Sequence, residues 1–235
     1  MKKLLRLLST PGRWHFYARE VLLRSLGLLA RLPMAGSVFG RILAWALGPY
    51  KARGKWVRLT GKSYVSPHAK LWGSGLEMGD RCFIDDDVTV FIRDTDCKAV
   101  FGERVAIWRG TIMELQKGGS IVIGARTAIQ PYCIINSIIG PIEIGSGVQI
   151  AAHCSFFSYR HVFSDSTLPI MEQGLESKGG IVVEDDAWIG SGVKVMDGVR
   201  IGRGSVIGAG SVVTRDIPPN SVAVGAPARV VAART

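Results

Sequence analysis

The stretch VEDDAWIGSGVKVMDGVRIGRGSVIGAGSVVTRDIP, residues 183–218, divides without remainder into six units of six residues. Every unit begins with Val or Ile, its second residue is often Gly, and its fifth residue is small or β-branched. A strict period over so long a stretch indicates a repeat architecture, in which each unit adds one face to a stack. The period of six therefore decides the fold.

The same rhythm continues toward the N-terminus, with an apolar residue leading each unit. Taken in threes, the leading residues form seven sets that each span 18 residues. The sets are led by residues 59/65/71, 78/84/90, 101/107/113, 123/129/135, 144/150/156, 183/189/195 and 201/207/213. Extra residues occur only between sets, and the longest insertion has 21 residues.

Because insertions occur only after every third unit, we predict a coil with three short faces, in which one of the three corners accepts extra residues. Leading residues point inward and parallel strands stack about 4.8 Å apart, so seven coils, numbered 1 to 7 in chain order, form an all-β prism roughly 30 Å tall. Both open ends need cover. We therefore expect an N-terminal segment at 1–58, the coils at 59–218, and a C-terminal cap at 219–235, with Pro218 and Pro219 ending the ladder.

The net charge of +10 belongs to the N-terminal segment. Residues 1–58 contain twelve Lys or Arg and one acid, Glu20, whereas the rest of the chain has 17 basic and 18 acidic residues. The repeat region thus offers no basic stripe for a nucleic acid, and we expect no nucleic-acid partner.

The N-terminal segment 1–58 has the pattern of amphipathic helices. Its charged residues form a thin stripe on a helical wheel, within about 40° of one another, beside a broad apolar face. The stripe consists of Arg13, Glu20, Arg24 and Arg31, and the interfacial aromatic residues are Trp14, Phe16 and Tyr17. No uncharged apolar run is long enough to span a bilayer. The pattern predicts helices lying in a membrane surface, with the basic cluster of residues 51–58 favouring anionic headgroups; the alternative is packing on the coils or on a partner subunit.

The four cysteines show neither CxxC pairing nor the spacing of a zinc site. Three of them, Cys82, Cys133 and Cys154, occupy the fifth position of their units, where a small buried residue is needed. We predict that they are packing residues and that the protein is cytoplasmic, associated peripherally with the inner face of the cell membrane.

The 21-residue insertion follows coil 5 and predicts a projecting loop at 157–182. Long loops on a rigid repeat commonly carry function. His161 lies at the root of this loop, whereas His68 and His153 occupy the fourth position of their units, which should face solvent. The acid run at residues 85–87 of coil 2 lies far from the loop, and we expect it to be solvated.

Three stretches resemble a known family: SYRHVF (158–163), PIMEQG (169–174), and the stretch from DDAWIGSGVK to GAPARVV (185–231). They are similar to the hexapeptide-repeat acyltransferases, which fold as a left-handed parallel β-helix, and especially to O-acetyltransferases of surface polysaccharides and glycolipids. The resemblance implies that His161 is the general base of acetyl transfer to a sugar hydroxyl. An imidazole suits proton removal at neutral pH and contributes roughly 10²–10⁴ in rate.

The resemblance also implies acetyl-CoA as donor, no metal, and a homotrimer with each active site between two subunits. Trp188 would lie beside the thioester arm. The residues expected near the rest of the CoA molecule are Ser191, Ala209 and Thr214 for the pantetheine and Arg215 and Arg229 for the phosphates.

The acceptor side is expected on a neighbouring coil. The candidates for holding the acceptor are Gln130, Tyr132, Asn136 and Glu172, and Glu172 is also a candidate for orienting His161. Tyr132 stands where the small-sugar branch of the family has an asparagine, which argues against a free mono- or disaccharide. The amphipathic segment 1–58 is the reason to expect a lipid-linked sugar or a surface-polysaccharide precursor.

Three alternatives remain open. In the first, the protein is an acyltransferase whose donor is a longer acyl thioester or whose acceptor is an amine. In the second, the prism is a metal hydratase similar to the γ-type carbonic anhydrases. In the third, the protein is a non-enzymatic membrane-bound scaffold. The hydratase needs three histidine ligands, and His153 with His161 supply at most two, at an unsuitable spacing.

Overall fold

The computed structural model describes residues 11–32, 36–48 and 50–234. Packing divides the chain into two compact units, residues 1–64 and residues 65–235.

The N-terminal unit is helical. Its elements are α1 (Pro11–Leu29), α2 (Gly36–Leu47), a 3₁₀ helix (Tyr50–Gly54) and α3 (Lys55–Thr60). A small core forms where these helices meet, and its buried members are Leu23, Leu26, Leu43 and Leu47, packed against Phe39, Ala46, Trp56 and Leu59. None of the described helices has the length and apolar content that a bilayer span requires. The aromatic side chains predicted at residues 14, 16 and 17 lie outside the side chains that the structure describes.

Leu59 does not lead a coil, in contrast to the prediction. It lies in α3, where a Cβ built on Gly27 would come within 2.9 Å of its own Cβ. The missing side chain at Gly27 therefore lets α1 approach α3 closely. Gly61, at a φ of 70°, ends α3, and its N–H donates to the carbonyl of Val57. A helix C-cap thus precedes the first strand, and the repeat begins at Val65.

The second unit consists almost entirely of short strands. In chain order they are β1 (Tyr64–Val65), β2 (Lys70–Trp72), β3 (Leu76–Met78), β4 (Phe83–Ile84), β5 (Thr89–Ile92), β6 (Lys98–Phe101), β7 (Ala106–Ile107), β8 (Ile112–Gln116), β9 (Ser120–Ile123), β10 (Ala128–Ile129), β11 (Ile134–Ile138), β12 (Ile142–Ile144), β13 (Gln149–Ile150), β14 (Ser155–Phe157), β15 (Arg160–His161), β16 (Leu175–Glu176), β17 (Ile181–Val183), β18 (Trp188–Ile189), β19 (Lys194–Val195), β20 (Arg200–Ile201), β21 (Val206–Ile207), β22 (Val212–Val213), β23 (Ser221–Val224) and β24 (Arg229–Ala233). The only helix described in this unit is α4 (Ile170–Gln173).

Three sheets form the faces of a parallel β-helix of about seven turns. Face A has the order β1-β4-β7-β10-β13-β18-β21-β23-β24, face B the order β2-β5-β8-β11-β14-β19-β22, and face C the order β20-β17-β12-β9-β6-β3. Every third strand along the chain therefore returns to the same sheet, as the period of 18 residues predicts. The corners between faces are called AB, BC and CA below.

Leading residues stack in register and fill the interior. Ile129 of β10, for example, pairs with Ile107 of β7 and Ile150 of β13, and all three are buried. Burial of such a column stabilises the folded state by roughly 25 cal/mol for each Å² of apolar surface that is removed from water. Each of the fifth-position cysteines is a buried thiol, which confirms the predicted packing role.

Corners AB and CA are tight turns, and each repeats a similar backbone conformation from coil to coil. At corner AB the turn residues have positive φ, and they are Asp87, Gly110, Tyr132, His153, Gly192 and Gly210. The insertions all leave at corner BC, where the turn is free to lengthen. After coil 7, β23 continues face A in parallel with β21, and β24 pairs with β23 in the antiparallel direction.

Candidate functional site

The loop after coil 5 is a built hairpin. β15 pairs with β16 in the antiparallel direction, with Arg160 opposite Glu176 and His161 opposite Leu175. The guanidinium of Arg160 approaches Oε1 of Glu176 to 2.6 Å through Nη2 and 2.7 Å through Nε. This two-donor ion pair holds the hairpin closed one residue before His161.

Asp197, in coil 6, anchors the return of the loop. Its carboxylate accepts hydrogen bonds from the hydroxyl of Ser177 at 2.9 Å and the N–H of Gly180 at 3.0 Å, as well as from the N–H of Lys178. Three donors converge on one side chain, so the chain re-enters face C in a defined place.

The tip of the loop carries its own hydrogen bonds. Gln173 of α4 donates to the carbonyls of Asp165 at 2.8 Å and Leu168 at 2.9 Å and accepts from the N–H of Asp165 at 3.0 Å. The carboxylate of Asp165 accepts hydrogen bonds from the hydroxyl and the N–H of Thr167. These bonds, the one from the hydroxyl having the larger effect, hold the pKa of Asp165 below its usual value. The loop therefore has internal structure from its root to its tip.

His161 is exposed on this hairpin. Within residues 11–32, 36–48 and 50–234 its imidazole forms no hydrogen bond or ion pair. Glu172 is likewise exposed, and its carboxylate makes no ion pair with His161. Both ring nitrogens thus stand open to a molecule outside the chain.

A first group of predicted site residues shares corner BC with His161. Asn136 is the third of the five residues of β11, the face B strand that leads to corner BC, and it pairs in register with Phe157 of β14, four residues before His161. Its Oδ1 is buried and accepts no hydrogen bond. Thr214 and Arg215 follow β22 at the same corner in coil 7 and are exposed.

A second group gathers at corner AB and on face A. Trp188 opens β18 on face A and is 56% exposed. The residues of this group at corner AB are Gln130 and Tyr132 in coil 4, Ser191 in coil 6 and Ala209 in coil 7. Ser191 donates to the carbonyl of Ala152 at 2.8 Å. Arg229 begins β24 at the C-terminal edge of face A.

The two groups lie on opposite sides of the same β-helix. Corner BC, from which the hairpin with His161 leaves, is the corner opposite face A, which carries Trp188. One β-helix therefore separates the predicted base from the predicted indole of the donor site. His153 and His161 are separated in the same way, because His153 turns corner AB in coil 5.

The acid run at residues 85–87 is not wholly solvated, and that prediction was wrong. Asp85 is 0% exposed, and its carboxylate oxygens accept no hydrogen bond. Nε of Arg109 lies 3.8 Å from Oδ2 of Asp85, and Nη2 lies 3.3 Å from Oδ2 of Asp86. Asp85 holds the second position of its unit, as Ser66 and Trp108 do in the adjacent coils, and the DDD sequence does not reveal that its side chain is buried.

Sequence reasoning also missed a pair of stacked rings. The ring centroids of Tyr132 and His153 lie 5.5 Å apart, with 15° between the ring planes. Both rings are exposed, and both backbones are in the left-handed region, at φ values of 61° and 63°. The signal was present in the sequence, because both residues occupy the fourth position of consecutive coils, where coils 6 and 7 have glycine.

A groove of about 420 Å³ lies on face C beside corner CA. Glu143, Glu184, Asp185 and Arg203 supply its charges. The N–H of Arg203 and the guanidinium of Arg200 hold the pKa of Glu184 below its usual value. None of the residues predicted for the site lines this groove.

The hexapeptide coils have counterparts in known proteins. Residues 180–215 match the family profile described as "Bacterial transferase hexapeptide (six repeats)". This match shows hexapeptide repeats in residues 180–215, and the three parallel faces show that the repeats form a β-helix.

Two relatives share part of the chain. A Mycobacterium tuberculosis protein named for an inferred acetyltransferase activity is 41% identical over 113 residues, which is 48% of this chain and 37% of the relative. A Schizosaccharomyces pombe protein named in the same way is 43% identical over 88 residues, which is 37% of this chain and 41% of the relative. The chain thus covers less than half the length of either relative.

The fold also occurs in solved structures, for example in an acyltransferase. A mutant of AntD, an N-acyltransferase from Bacillus cereus, was solved in complex with dTDP-4-amino-4,6-dideoxyglucose and coenzyme A. It is 21% identical, covers 68% of this chain and 83% of its own, and has a TM-score of 0.59.

Proposed function

We propose that this protein transfers an acetyl group from acetyl-CoA to a hydroxyl group of a sugar, with His161 as general base. The observation that carries the proposal is an ion-paired hairpin on a hexapeptide β-helix that presents an exposed imidazole without a partner in the described chain. An imidazole that was buried or hydrogen-bonded within the chain would not be available to an acceptor hydroxyl.

The chemistry balances with one imidazole. His161 removes the proton of the acceptor hydroxyl while its oxygen bonds to the thioester carbonyl carbon. The C–S bond then breaks, and the leaving CoA thiolate takes that proton from the imidazolium. The products are an acetyl ester and CoA, and no covalent acyl-enzyme is required.

In this proposal the donor contacts residues of the second group together with Thr214 and Arg215, which belong to the first group at corner BC. Trp188 offers an exposed indole for the thioester arm, and the backbone near Ser191, Ala209 and Thr214 contacts the pantetheine. Arg215 and Arg229 are exposed cations suited to the phosphates of CoA.

Two copies of the chain complete one site. His161 leaves corner BC and Trp188 lies on the opposite face, so an imidazole meets a donor bound at Trp188 only when it comes from a neighbouring copy. A closed ring of three β-helices supplies this arrangement three times, and we therefore propose a homotrimer.

The acceptor is a sugar of a lipid-linked or surface-polysaccharide precursor. Asn136 has a buried Oδ1 that accepts no hydrogen bond, which a sugar hydroxyl satisfies. Gln130 and Tyr132 stand on the same coil at corner AB, and Glu172 stands on the loop.

The N-terminal helices bring the enzyme to an acidic membrane surface on the cytoplasmic side. Exposed apolar residues follow one another at helical spacing on α2, where they are Val38, Ile42 and Trp45. Trp45 is 85% exposed, and Arg41 is exposed on the same helix. An apolar face beside a cation suits the headgroup region of an anionic bilayer.

The test incubates full-length protein with labelled acetyl-CoA and a membrane-lipid extract. We expect a labelled glycolipid whose label mild alkali releases, as esters do and amides do not. His161→Ala is expected to reduce turnover by roughly 10²–10⁴-fold, whereas His68→Ala, an exposed histidine in coil 1, retains it. Near-normal turnover by His161→Ala contradicts the proposal.

The same assay separates the alternatives. An alkali-stable product identifies an amine acceptor, and a panel of longer acyl thioesters identifies a different donor. A protein that binds vesicles but neither binds nor turns over any thioester is a scaffold.

A further inference from the structure

Corner CA carries three arginines in consecutive coils, although the repeat region as a whole is close to neutral. Arg81, Arg104 and Arg126, called the arginine column below, hold the same turn position in coils 2, 3 and 4. The turns stack directly on one another. The N–H of Arg104 donates to the carbonyl of Asp80 at 2.8 Å, and that of Arg126 to the carbonyl of Glu103 at 2.8 Å. Adjacent coils lie about 4.8 Å apart, so the three side chains leave the β-helix at this spacing.

The backbone of the arginine column is unfavourable for arginine. The φ values are 57°, 59° and 61°, in the left-handed region that residues other than glycine seldom adopt. Farther along the corner the same position is held by residue types that tolerate positive φ, and they are Gly147, Asp186, Gly204 and Asn220. Core packing does not explain the three arginines, because all of them are exposed. An unfavourable surface residue that occurs three times in succession points to a binding role.

The guanidinium groups of the column are only partly neutralised. Oε1 of Glu103 lies 3.2 Å from Nε of Arg104 and 4.0 Å from Nη1 of Arg81. These three side chains are about half exposed, so an incoming anion can compete with this carboxylate. The guanidinium of Arg126 forms no ion pair or hydrogen bond with any residue that the structure describes. Three arginines and the two acids of the same turns, Asp80 and Glu103, leave a net charge of +1.

The surroundings of the column confine its positive charge to coils 2–4. The outward positions next to Arg104 and Arg126 carry no charge, and they are Ala106 and Ala128 on face A and Val100 and Val122 on face C. Beside Arg81 the position on face C is Glu77, so the positive potential is strongest at coils 3 and 4. In coil 6 acids replace the arginines, since the turn there consists of Glu184, Asp185 and Asp186.

We propose that the arginine column binds an acidic polysaccharide, with carboxylate or phosphate groups of the glycan at successive guanidiniums. The coil spacing of about 4.8 Å is comparable to the length of one sugar unit in an extended chain. The planar fork of arginine suits carboxylate and phosphate oxygens. Duplex DNA carries one charge per about 1.7 Å of its axis, which is much denser than the column and unlike its small net charge.

The column lies at the corner that carries neither His161 nor the residues proposed for the donor. It therefore holds a polymer without occupying the place where acetyl transfer is proposed. That the bound polysaccharide is also the polymer to be acetylated rests on the proposed function; the anion site itself does not.

The backbone dictates which variants test the column. Asparagine tolerates the left-handed region, so Arg104→Asn and Arg126→Asn remove the guanidinium and keep the turn. Lys117→Asn is the matched control, because Lys117 is an exposed cation with a φ of 50° that follows β8 at corner BC. Glu103→Gln is the opposite test, since it removes the carboxylate that competes with a ligand for two of the arginines.

The experiment is calorimetric titration of the full-length variants with oligogalacturonate, which carries one carboxylate per sugar, and with a neutral malto-oligosaccharide of equal length. We expect only the acidic oligosaccharide to bind, and added salt to weaken its binding. Arg104→Asn and Arg126→Asn are each expected to weaken it by roughly two- to fivefold, and Glu103→Gln to tighten it by a similar factor. Lys117→Asn is expected to bind like the wild type.

Four results overturn the proposal. They are equal binding of the neutral oligosaccharide, a loss in Lys117→Asn equal to that in the arginine variants, and binding that neither arginine variant weakens, which assigns the acidic oligosaccharide to the basic N-terminal segment. The fourth is a larger loss for single-stranded DNA or phosphatidylglycerol vesicles than for oligogalacturonate, which assigns the column to another anion. His161→Ala separates this site from catalysis, because it is expected to lose turnover and keep the wild-type affinity for oligogalacturonate. A failure of the catalytic proposal therefore leaves the binding result standing.

Discussion

Arg160 and Glu176 face each other across the two strands of the loop hairpin, with 2.6 Å between Nη2 and Oε1. Both side chains are 43% exposed, so this ion pair contributes little to the free energy of unfolding, about 0–1 kcal/mol. Its consequence is geometric, because it fixes the hairpin register at the residue next to His161.

Glu176→Gln is therefore expected to lower kcat by roughly ten- to a hundredfold and to leave KM and the melting temperature nearly unchanged. The expected cause is displacement of the His161 imidazole. Steady-state kinetics with acetyl-CoA and a sugar acceptor measure kcat and KM separately. The charge-swapped variant Arg160→Glu/Glu176→Arg restores kcat if pairing is the cause. A swapped variant as slow as Glu176→Gln contradicts this role.

Trp45→Ala is expected to weaken binding of the full-length protein to vesicles with anionic lipid by roughly tenfold. An indole that is 85% exposed in water becomes buried in the headgroup region, and truncation loses that burial. Co-sedimentation measures the binding. The matched control is Trp72→Ala, because Trp72 is 64% exposed but lies on face B of the β-helix.

Added salt is expected to weaken vesicle binding as well, since Arg24 and Arg41 are exposed cations without an ion pair in the described chain. Equal losses in the Trp45 and Trp72 variants, or no vesicle binding by the wild type, contradict membrane docking by α2. A concentration-dependent change in oligomeric state in Trp45→Ala would instead assign this face to a second copy of the chain.

Arg109→Met is expected to lower the free energy of unfolding by roughly 3–5 kcal/mol, because it strands the buried carboxylate of Asp85. Denaturant titration followed by circular dichroism measures it. Adding Asp85→Asn to Arg109→Met is expected to recover part of the loss, since the amide carries no charge. Independent, additive losses in the double mutant contradict coupling between the two groups.

The difference in stability between the wild type and Glu184→Gln is expected to depend on pH. The N–H of Arg203, 2.9 Å from Oε2, and the guanidinium of Arg200, 2.9 Å from Oε1, lower its pKa in the folded state. The stabilisation is therefore complete above the unfolded-state pKa of about 4.3 and is lost as the pH falls through the lowered folded-state value. Glu184→Gln should melt below the wild type at pH 7 and coincide with it in strong acid.

Thermal melts from pH 7 down to about pH 2 measure this convergence. Glu143→Gln is the control, because Glu143 lies in the same groove and its carboxylate is exposed without an ion pair in the described chain. A difference between wild type and Glu184→Gln that stays constant with pH would show that the carboxylate acts through packing alone.

The hexad spacing was sufficient to predict the coils. Positions such as Ile107, Ile129 and Ile150 recur at the phase that must face inward, so inward burial and sheet membership follow from counting. The corner from which the loop carrying His161 projects follows from the same count. Leu59 shows the limit of such counting, because one apolar residue fits both a coil and the helix that Gly61 ends.

The side-chain environments at the corners were not accessible by counting. Counting places Asp85 between Ser66 and Trp108 of adjacent coils, but only the structure shows that its carboxylate is buried. Counting makes Tyr132 and His153 neighbours at the fourth position of consecutive coils, but only the structure shows that their rings stack with centroids 5.5 Å apart. Such contacts depend on rotamers and on left-handed backbone angles, which vary between coils of identical period.

The sequence by itself thus determined the three-sided β-helix and the excursion bearing His161, because a periodic backbone permits only one phase for apolar residues and one corner for insertions. Tertiary structure alone decided that the imidazole stands on an ion-paired hairpin, that an aspartate is buried beside Arg109, and that the rings of Tyr132 and His153 stack. The physical reason is that periodicity specifies which residues become neighbours, whereas packing and hydrogen bonding specify how their side chains meet.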